Sequence, residues 1–444
     1  MKNEIMGASV MGGSATGGAG RAHVPVLIVG GGQAGLSVAY HLDKAGIRNV
    51  VLERHAMFHS WRENRWDSFC LVTPNWQCRL PDFSYADYGG TDPHGFMVKG
   101  EITDYLMAFA ERARPNIREG VEVTGVTRLP DGRFAVDTTD GTTNGGWTAD
   151  QVVVATGGYD RPIEPQYARA LDRSIFQMHS REYRNPEQFP EGGVLIVGTG
   201  QSGVQLMEDF VRAGRKVHLA VGPAPRSPRM YRGRDATDWL YDAGHYEMTI
   251  DEHPDPAKAL GQTNHYMSGR DGGKEIDLRR WHVEHGVELY GTVADMDGTT
   301  IAFLPDLKKN LDDADRSYLG IRSQIDAYIA KEGIDAPLEP RFEKVWEPVD
   351  KVLQVDAREV GITSVLWAIG FRADYSWLQV DVFDRQGKPK HHRGVTEVPG
   401  IHFLGLGWLN TWGSGRFLGI DEDSRYLAAA IARQLAEAGK LATA

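Results

Sequence analysis

Cysteine is nearly absent. Cys70 and Cys78 are the only two in 444 residues. They form neither a CxxC dithiol nor half of a zinc site. That excludes disulfide chemistry of the thioredoxin-reductase type, and two isolated thiols point to a reducing cytoplasm. Long apolar runs are absent as well. None approaches the ~20 residues needed to span a bilayer, so a soluble protein is expected. There is no Lys/Arg run, and the formal net charge is −11, which argues against nucleic acid or an anionic membrane as partner. No HExxH or Ser-His-Asp pattern stands out. His391 and His392 lie in a polar stretch without acidic or Cys partners at metal spacing, so no metal is expected. Residues 1–22 are rich in Gly, Ala, Ser and Met, lack the apolar segment of a signal peptide and are expected to be disordered.

What remains is an ordinary globular composition, 41% apolar and 25% charged, long enough for two or three domains. The motifs specify an α/β chain. Val24–Val29 (VPVLIV) reads as a buried parallel strand. Gly30, Gly31, Gly32, Gln33, Ala34 and Gly35 follow at once, then an apolar helical pattern through Leu36, Ala39, Tyr40 and Leu42, then a strand over Asn49–Glu53. In such a unit Gly30 makes the tight turn, Gly32 admits a pyrophosphate and Gly35 lets the helix pack on the strand. The pyrophosphate lies at the helix N-terminus, where free N–H groups and the helix dipole favour an anion. Glu53, at the second strand end, is placed to accept a ribose's hydroxyls.

The pattern recurs. Val194–Val197 (VLIV) leads into Gly198, Thr199, Gly200, Gln201, Ser202 and Gly203, a helix through Val204, Leu206, Met207, Phe210 and Val211, and a strand over Lys216–Val221. Val221 stands where the first unit has its acid. An acid there would repel the 2′-phosphate of NADP. Its absence, with Arg226 and Arg229 just beyond, predicts NADPH, held by those two arginines. Two such units mean one bound flavin and one nicotinamide that reduces it. A step of threes and fours from Leu307 to Tyr328 predicts a long helix whose apolar face packs on the second unit.

Val152–Gly158 (VVVATGG) and Leu366–Asp374 (LWAIGFRAD) resemble the ATG-type segments that link the two domains of such flavoproteins, with Ile369 where Thr is usual. His59–Arg62 (HSWR), His179–Tyr183 (HSREY) and the stretch from Gly413 to Asp423 resemble segments of the class B flavin monooxygenases, in their CzcO-like and YUCCA-like branch. The fingerprint glycine before the HSxxY half is missing. The resemblance implies two Rossmann-like domains, the NADPH domain inserted into the FAD domain: 23–163 plus 371–444 for FAD, and 164–370 for NADPH with a helical insertion near 305–333. It implies that NADPH reduces the flavin, that oxygen adds at C4a, and that one oxygen atom passes to a small organic substrate. Nothing specifies that substrate or the oligomer, for which a homodimer is one option. A reductase serving a protein acceptor and a non-enzymatic redox sensor are the alternatives.

The expected cofactor-binding set is Gly30, Gly32, Gln33, Ala34, Gly35, Glu53, Arg54, Trp61, Arg62, Trp66, Val123, Ala155, Thr156, Gly157, Gly198, Gly200, Gln201, Ser202, Gly203, Arg226, Arg229, Ile369, Gly370, Gly407, Gly419 and Ile420. Asn75, in the segment CLVTPNWQCRLPDF, is the candidate to face the flavin as a catalytic residue; a polar turn after Pro74 is its plain alternative. Trp61, Trp66, Trp76, Trp408 and Trp412 are candidates to wall the site, or else core residues.

Overall fold

The structure, a computed structural model, describes residues 21–261, 264–349 and 351–440. Residues 1–20 of the expected tail lie outside them, and the first strand opens at Ala22. That strand, Ala22–Val29, is the centre of a ten-stranded sheet. It pairs in parallel with Asn49–Glu53 on one side and Asn144–Val154 on the other. The alignment Val29↔Leu52 and Val29↔Val154 brings three strand ends to one edge. Ile401–Phe403 adds in parallel beyond Asn144–Val154, so the last part of the chain returns to the first sheet.

Between those parts lies a second, five-stranded sheet, all parallel, in the order Phe176–His179, Ile362–Trp367, Gly193–Val197, Val217–Ala220, Glu288–Tyr290. Its central strand Gly193–Val197 is flanked just as Ala22–Val29 is in the first sheet. Parallel pairing needs crossover connections, and the helices Gln33–Lys44 and Gln201–Arg212 supply them. Their inward faces explain why they form where they do: Leu36, Val38, Ala39 and Leu42 of one, and Val204, Leu206, Met207 and Phe210 of the other, are buried.

The two sheets are α/β folds of Rossmann type, the second inserted into the first. The chain leaves and re-enters through neighbouring strands: Arg161–Pro162 pairs antiparallel with Phe371–Arg372, and Arg161 bonds to Asp374. The long helix spans Leu307–Glu332. Leu311 and Ala314 pack into the second sheet's core, and Ile325 and Ile329 pack with Trp239. Its last turn ends at Gly333 in the left-handed region.

Candidate functional site

Each glycine turn is built by close backbone approach. Gly30 has φ +111°, and a Cβ there would lie 2.5 Å from the carbonyl oxygen of Ala155; at Gly35 it would lie 1.9 Å from that of Gly30. The second turn repeats the arrangement: Gly198 has φ +103° and meets the carbonyl of Ala368 at 2.8 Å, and Gly203 meets that of Gly198 at 2.0 Å. So each turn is wedged against its own linking segment, which is why those segments recur. Gly32 and Gly200 differ. Each caps its helix in extended backbone, and a Cβ on either would meet nothing within 4 Å. The space over both helix N-termini is therefore open to a ligand, where an anion is favoured. The residues fit two dinucleotides.

Glu53 is held at the first mouth. Its carboxylate accepts from the backbone N–H of Gly31 at 2.7 Å and of His55 at 2.8 Å. Arg54 is exposed and bonds to Asp160, just past Thr156 and Gly157. At the second mouth Val221 is buried, and its carbonyl accepts from Asn310 at 2.9 Å. Thr199 bonds with the Gly222 N–H at 3.1 Å. The glutamines of the turns both hold neighbouring segments. Trp61 donates its indole N–H to Gln33 at 2.8 Å, and Gln201 donates to the Met267 carbonyl at 2.6 Å while accepting from the Met267 N–H at 3.2 Å. Ala155 is buried, Thr156 exposed, and Ser202, Ile369 and Gly370 half-buried at the two edges. Ala34 is buried, 2.9 Å from where a Cβ on Gly405 would be, and Gly407 nearby is exposed.

Several expected site residues have other duties. Asn75 is buried, its side chain consumed by backbone: it donates to the Asp92 carbonyl at 3.0 Å and accepts from the Met97 N–H at 2.8 Å. It pins a turn, and both polar atoms of its amide are engaged by backbone. Trp66 lies in the second sheet's core with Tyr183 and Phe189. Val123 and Ile420 are core residues of the first part, so their side chains do not line the mouth. Arg62 is exposed. His179 bonds to the Gly370 carbonyl at 3.2 Å and Tyr183 donates to Asp209 at 2.6 Å, so the HSREY segment braces the hinge and the second helix.

Arg226 and Arg229 are the plainest correction. Both are 1% exposed. Arg226 pairs with Asp315 at 2.9 Å and Asp277 at 3.6 Å, under the ring of Tyr318. Arg229 pairs with Asp235 at 2.9 Å, donates to the Val72 carbonyl at 2.6 Å and lies under Phe96. Neither guanidinium is free to take a 2′-phosphate. Proximity in sequence to Val221 was the signal; the aspartates that claim Arg226 are remote in sequence, while Asp235 follows close behind Arg229. Arg226→Ala is accordingly expected to lower stability by about 3–5 kcal/mol, because it leaves buried Asp277 without its cationic partner and Asp315 with Arg279 alone. The NADPH/NADH preference should stay as in the unmutated protein. Chemical unfolding and steady-state rates with each nucleotide check this.

The C-terminal loop closes the first mouth. Phe417 stacks on Trp61 at 5.4 Å. Gly413 and Gly419 touch backbone to backbone, a Cβ on Gly419 lying 2.6 Å from the Gly413 carbonyl carbon. A segment of the second domain covers that loop from outside: Tyr246 lies 4.6 Å from Trp412, Thr249 pairs with Thr411, and the Ile250 N–H donates to the Asn410 carbonyl at 2.6 Å. Trp408 packs on His253 and Trp76 donates to Asp238 at 2.8 Å. The tryptophans thus divide: Trp61 at the turn, Trp76, Trp408 and Trp412 where the two parts meet, Trp66 in a core. Phe417 and Tyr246 carried no local pattern that could have marked them.

Asp423, in the first turn of the last helix (Ile420–Glu437), is buried, and burial lifts its carboxyl to about 7. A carboxyl raised on folding favours the protonated native state. Its stabilising contribution is therefore full below the unfolded carboxylate range and is lost as pH rises through about 7. Asp423→Asn should remove that loss, raising stability at pH 8 over the parent by on the order of 3 kcal/mol more than at pH 5. Thermal melts at the two pH values read it out.

The fold, the two open glycine turns and the acid at the first mouth define the class, an oxidoreductase with two dinucleotide-binding folds. Residues 27–235 match the family described as pyridine nucleotide-disulphide oxidoreductase. Over 406 residues the chain is 30% identical to a CzcO-like oxidoreductase of Geobacillus kaustophilus, covering 91% of this chain and 97% of that one. The chain belongs to the CzcO-like oxidoreductase family. Over 206 residues it is 30% identical to a probable indole-3-pyruvate monooxygenase of Arabidopsis thaliana, 45% of this chain and 47% of that one. A flavin-containing monooxygenase from Stenotrophomonas maltophilia shares the fold at TM-score 0.62 and 19% identity, over 93% of this chain and 99% of that one. Among the described residues no helix is long and apolar enough to cross a membrane.

Proposed function

We propose that the protein is an NADPH-dependent monooxygenase that transfers one atom of O2 to a small organic substrate. In this reading residues 23–163 and 371–444 hold FAD and residues 164–370 hold NADPH. Bound FAD supplies the redox centre that takes hydride from NADPH and passes electrons to O2. The N-terminus of Gln33–Lys44 receives one pyrophosphate and that of Gln201–Arg212 the other, with Gly32 and Gly200 leaving the room. Glu53 holds the FAD ribose. Its carboxylate is fixed beforehand by two backbone N–H groups, so binding needs little rearrangement. Trp61 and Phe417 exclude water from the mouth, which favours productive transfer over loss of electrons as peroxide.

The observation that carries oxygen, rather than a thiol, as acceptor is the state of the cysteines. Cys70 and Cys78 are both buried, and burial pushes their thiols up to about 11 and about 12. Neither can form the thiolate a dithiol relay needs. The test is NADPH oxidation by the holoenzyme under ¹⁸O2 with a panel of amines, sulfides, ketones and organic acids. One ¹⁸O atom in a product is expected. Consumption that yields only peroxide with every compound, together with fast reduction of an added protein acceptor, would replace this reading with a reductase.

A further inference from the structure

With Arg226 and Arg229 held in buried ion pairs, other groups surround the end of the strand Val217–Ala220 at the second mouth. On one side Gly222 is tied to the glycine turn. Its N–H donates to the Thr199 hydroxyl at 3.1 Å, and that hydroxyl donates to the Gly222 carbonyl at 3.2 Å. On the other side stands an acid that the strand itself does not carry. Asp306 immediately precedes the long helix Leu307–Glu332. Its carboxylate accepts from the N–H and the hydroxyl of Thr292, both at 2.8 Å. The same hydroxyl lies 3.4 Å from the Val221 carbonyl, which also accepts from Asn310 of the long helix at 2.9 Å. One threonine side chain therefore separates Asp306 from the strand end.

The approach depends on a glycine. A Cβ at Gly291 would lie 2.0 Å from the Leu304 carbonyl oxygen and 2.6 Å from Asp306 Oδ1, so a side chain before Thr292 would push Asp306 away. Asp306 is half-buried, and a carboxylate that accepts two hydrogen bonds keeps lone pairs for more. Among the described residues no cation pairs with it. The two lysines that follow pair elsewhere: Lys308 with Asp312 at 2.8 Å and Glu347 at 3.0 Å, and Lys309 with Asp313 at 2.7 Å. In a fold of this type the ribose 2′ position meets the end of the second strand, where an acid accepts from a 2′-hydroxyl and an arginine accommodates a 2′-phosphate. Here that end has an acid after all, brought by the long helix instead of the strand. A carboxylate repels a phosphate, and more strongly at a half-buried site than in bulk water.

We propose that Asp306 sets the nucleotide selectivity of the second fold: it opposes the 2′-phosphate of NADPH and accepts from the 2′-hydroxyl of NADH, so that the fold accepts NADH as well as NADPH. The inference deepens the reading that residues 164–370 hold the nicotinamide nucleotide and rests on it. It does not depend on oxygen as the acceptor, and it is measurable without turnover.

The experiment is equilibrium binding of NADP⁺ and of NAD⁺ to the FAD-loaded protein, read by titration calorimetry at low and high NaCl. The two nucleotides share the pyrophosphate, so the ratio of their Kd values isolates the 2′-phosphate. The parent is expected to bind both with comparable affinity at low salt, and NADP⁺ should gain on NAD⁺ as NaCl screens Asp306. Asp306→Asn keeps the shape and an oxygen that accepts from Thr292. It should tighten NADP⁺ about tenfold, leave NAD⁺ little changed and abolish the salt trend. An NADP⁺ advantage in the parent that shrinks as NaCl is raised means that a cation holds the 2′-phosphate and overturns the proposal, and this comparison needs no variant to fold. An unchanged Kd ratio in Asp306→Asn overturns it too. Undiminished binding of both nucleotides by Gly200→Val would remove the nicotinamide from this fold and the proposal with it. A reversed salt trend, with Gly200→Val binding neither, sinks the proposal alone.

Discussion

Gly32→Val is expected to give a folded protein that leaves purification colourless. The argument turns on the difference between two glycines of one turn. At Gly35 a Cβ would lie 1.9 Å from a backbone oxygen, so any side chain there damages the fold itself. At Gly32 nothing lies within 4 Å, and the backbone is extended with φ −84°. Valine adopts that conformation readily, so the protein should keep its circular dichroism and melt close to the parent. The space its methyl groups enter is the space over the helix N-terminus, where the pyrophosphate must approach to bonding distance of the backbone. Displacing it forfeits several charge-assisted hydrogen bonds at roughly 1.5–3 kcal/mol each. Two such bonds already amount to over a hundredfold in affinity. The flavin-to-protein absorbance ratio after gel filtration checks the outcome. A folded Gly32→Val protein with a full complement of FAD would refute the assignment of the first turn.

Gly200→Val should separate the two sites. A Cβ at Gly200 also meets nothing within 4 Å, and its backbone is extended, with φ −62° and ψ 174°. The variant should be yellow, because the first sheet and Glu53 are untouched, yet it should fail to be reduced by NADPH. A fall of at least a hundredfold in the anaerobic reduction rate at fixed NADPH is expected on the same hydrogen-bond grounds. Reduction by dithionite, which needs no nucleotide site, should be unimpaired and serves as the internal control. Normal reduction by NADPH would mean that the nucleotide binds elsewhere than at the second turn.

Both predictions rest on residues that a linear reading could find. A glycine motif is local: turn, helix N-terminus and strand are consecutive, and their geometry follows from backbone sterics and from apolar residues needing a sheet to bury them. The strand at Asn49–Glu53 lies where its pattern places it, and the equal spacing of the two motifs announces two similar units. The same locality explains what was out of reach. Arg226 and Arg229 follow the second unit closely, as phosphate-binding arginines could, but a guanidinium is claimed by whichever carboxylate the fold brings nearest. Here those are Asp315, on the long helix, and Asp235. Asn75 lies in a turn, and whether its amide faced a flavin or backbone depended on the loop at Asp92–Met97 folding back over it. Tryptophans alike in sequence went to a mouth, a contact surface and a core.

The chain alone thus specifies two dinucleotide folds, their order, and which second strand ends in an acid, because each depends on contacts within about thirty residues of one βαβ unit. Which charges are spent on structure and which stay free is decided only when distant segments meet. Arg226 and Asp315, 89 positions apart, are unremarkable as letters, and they pair only once the long helix packs on the second sheet. Ion pairing and burial are long-range properties of the folded chain.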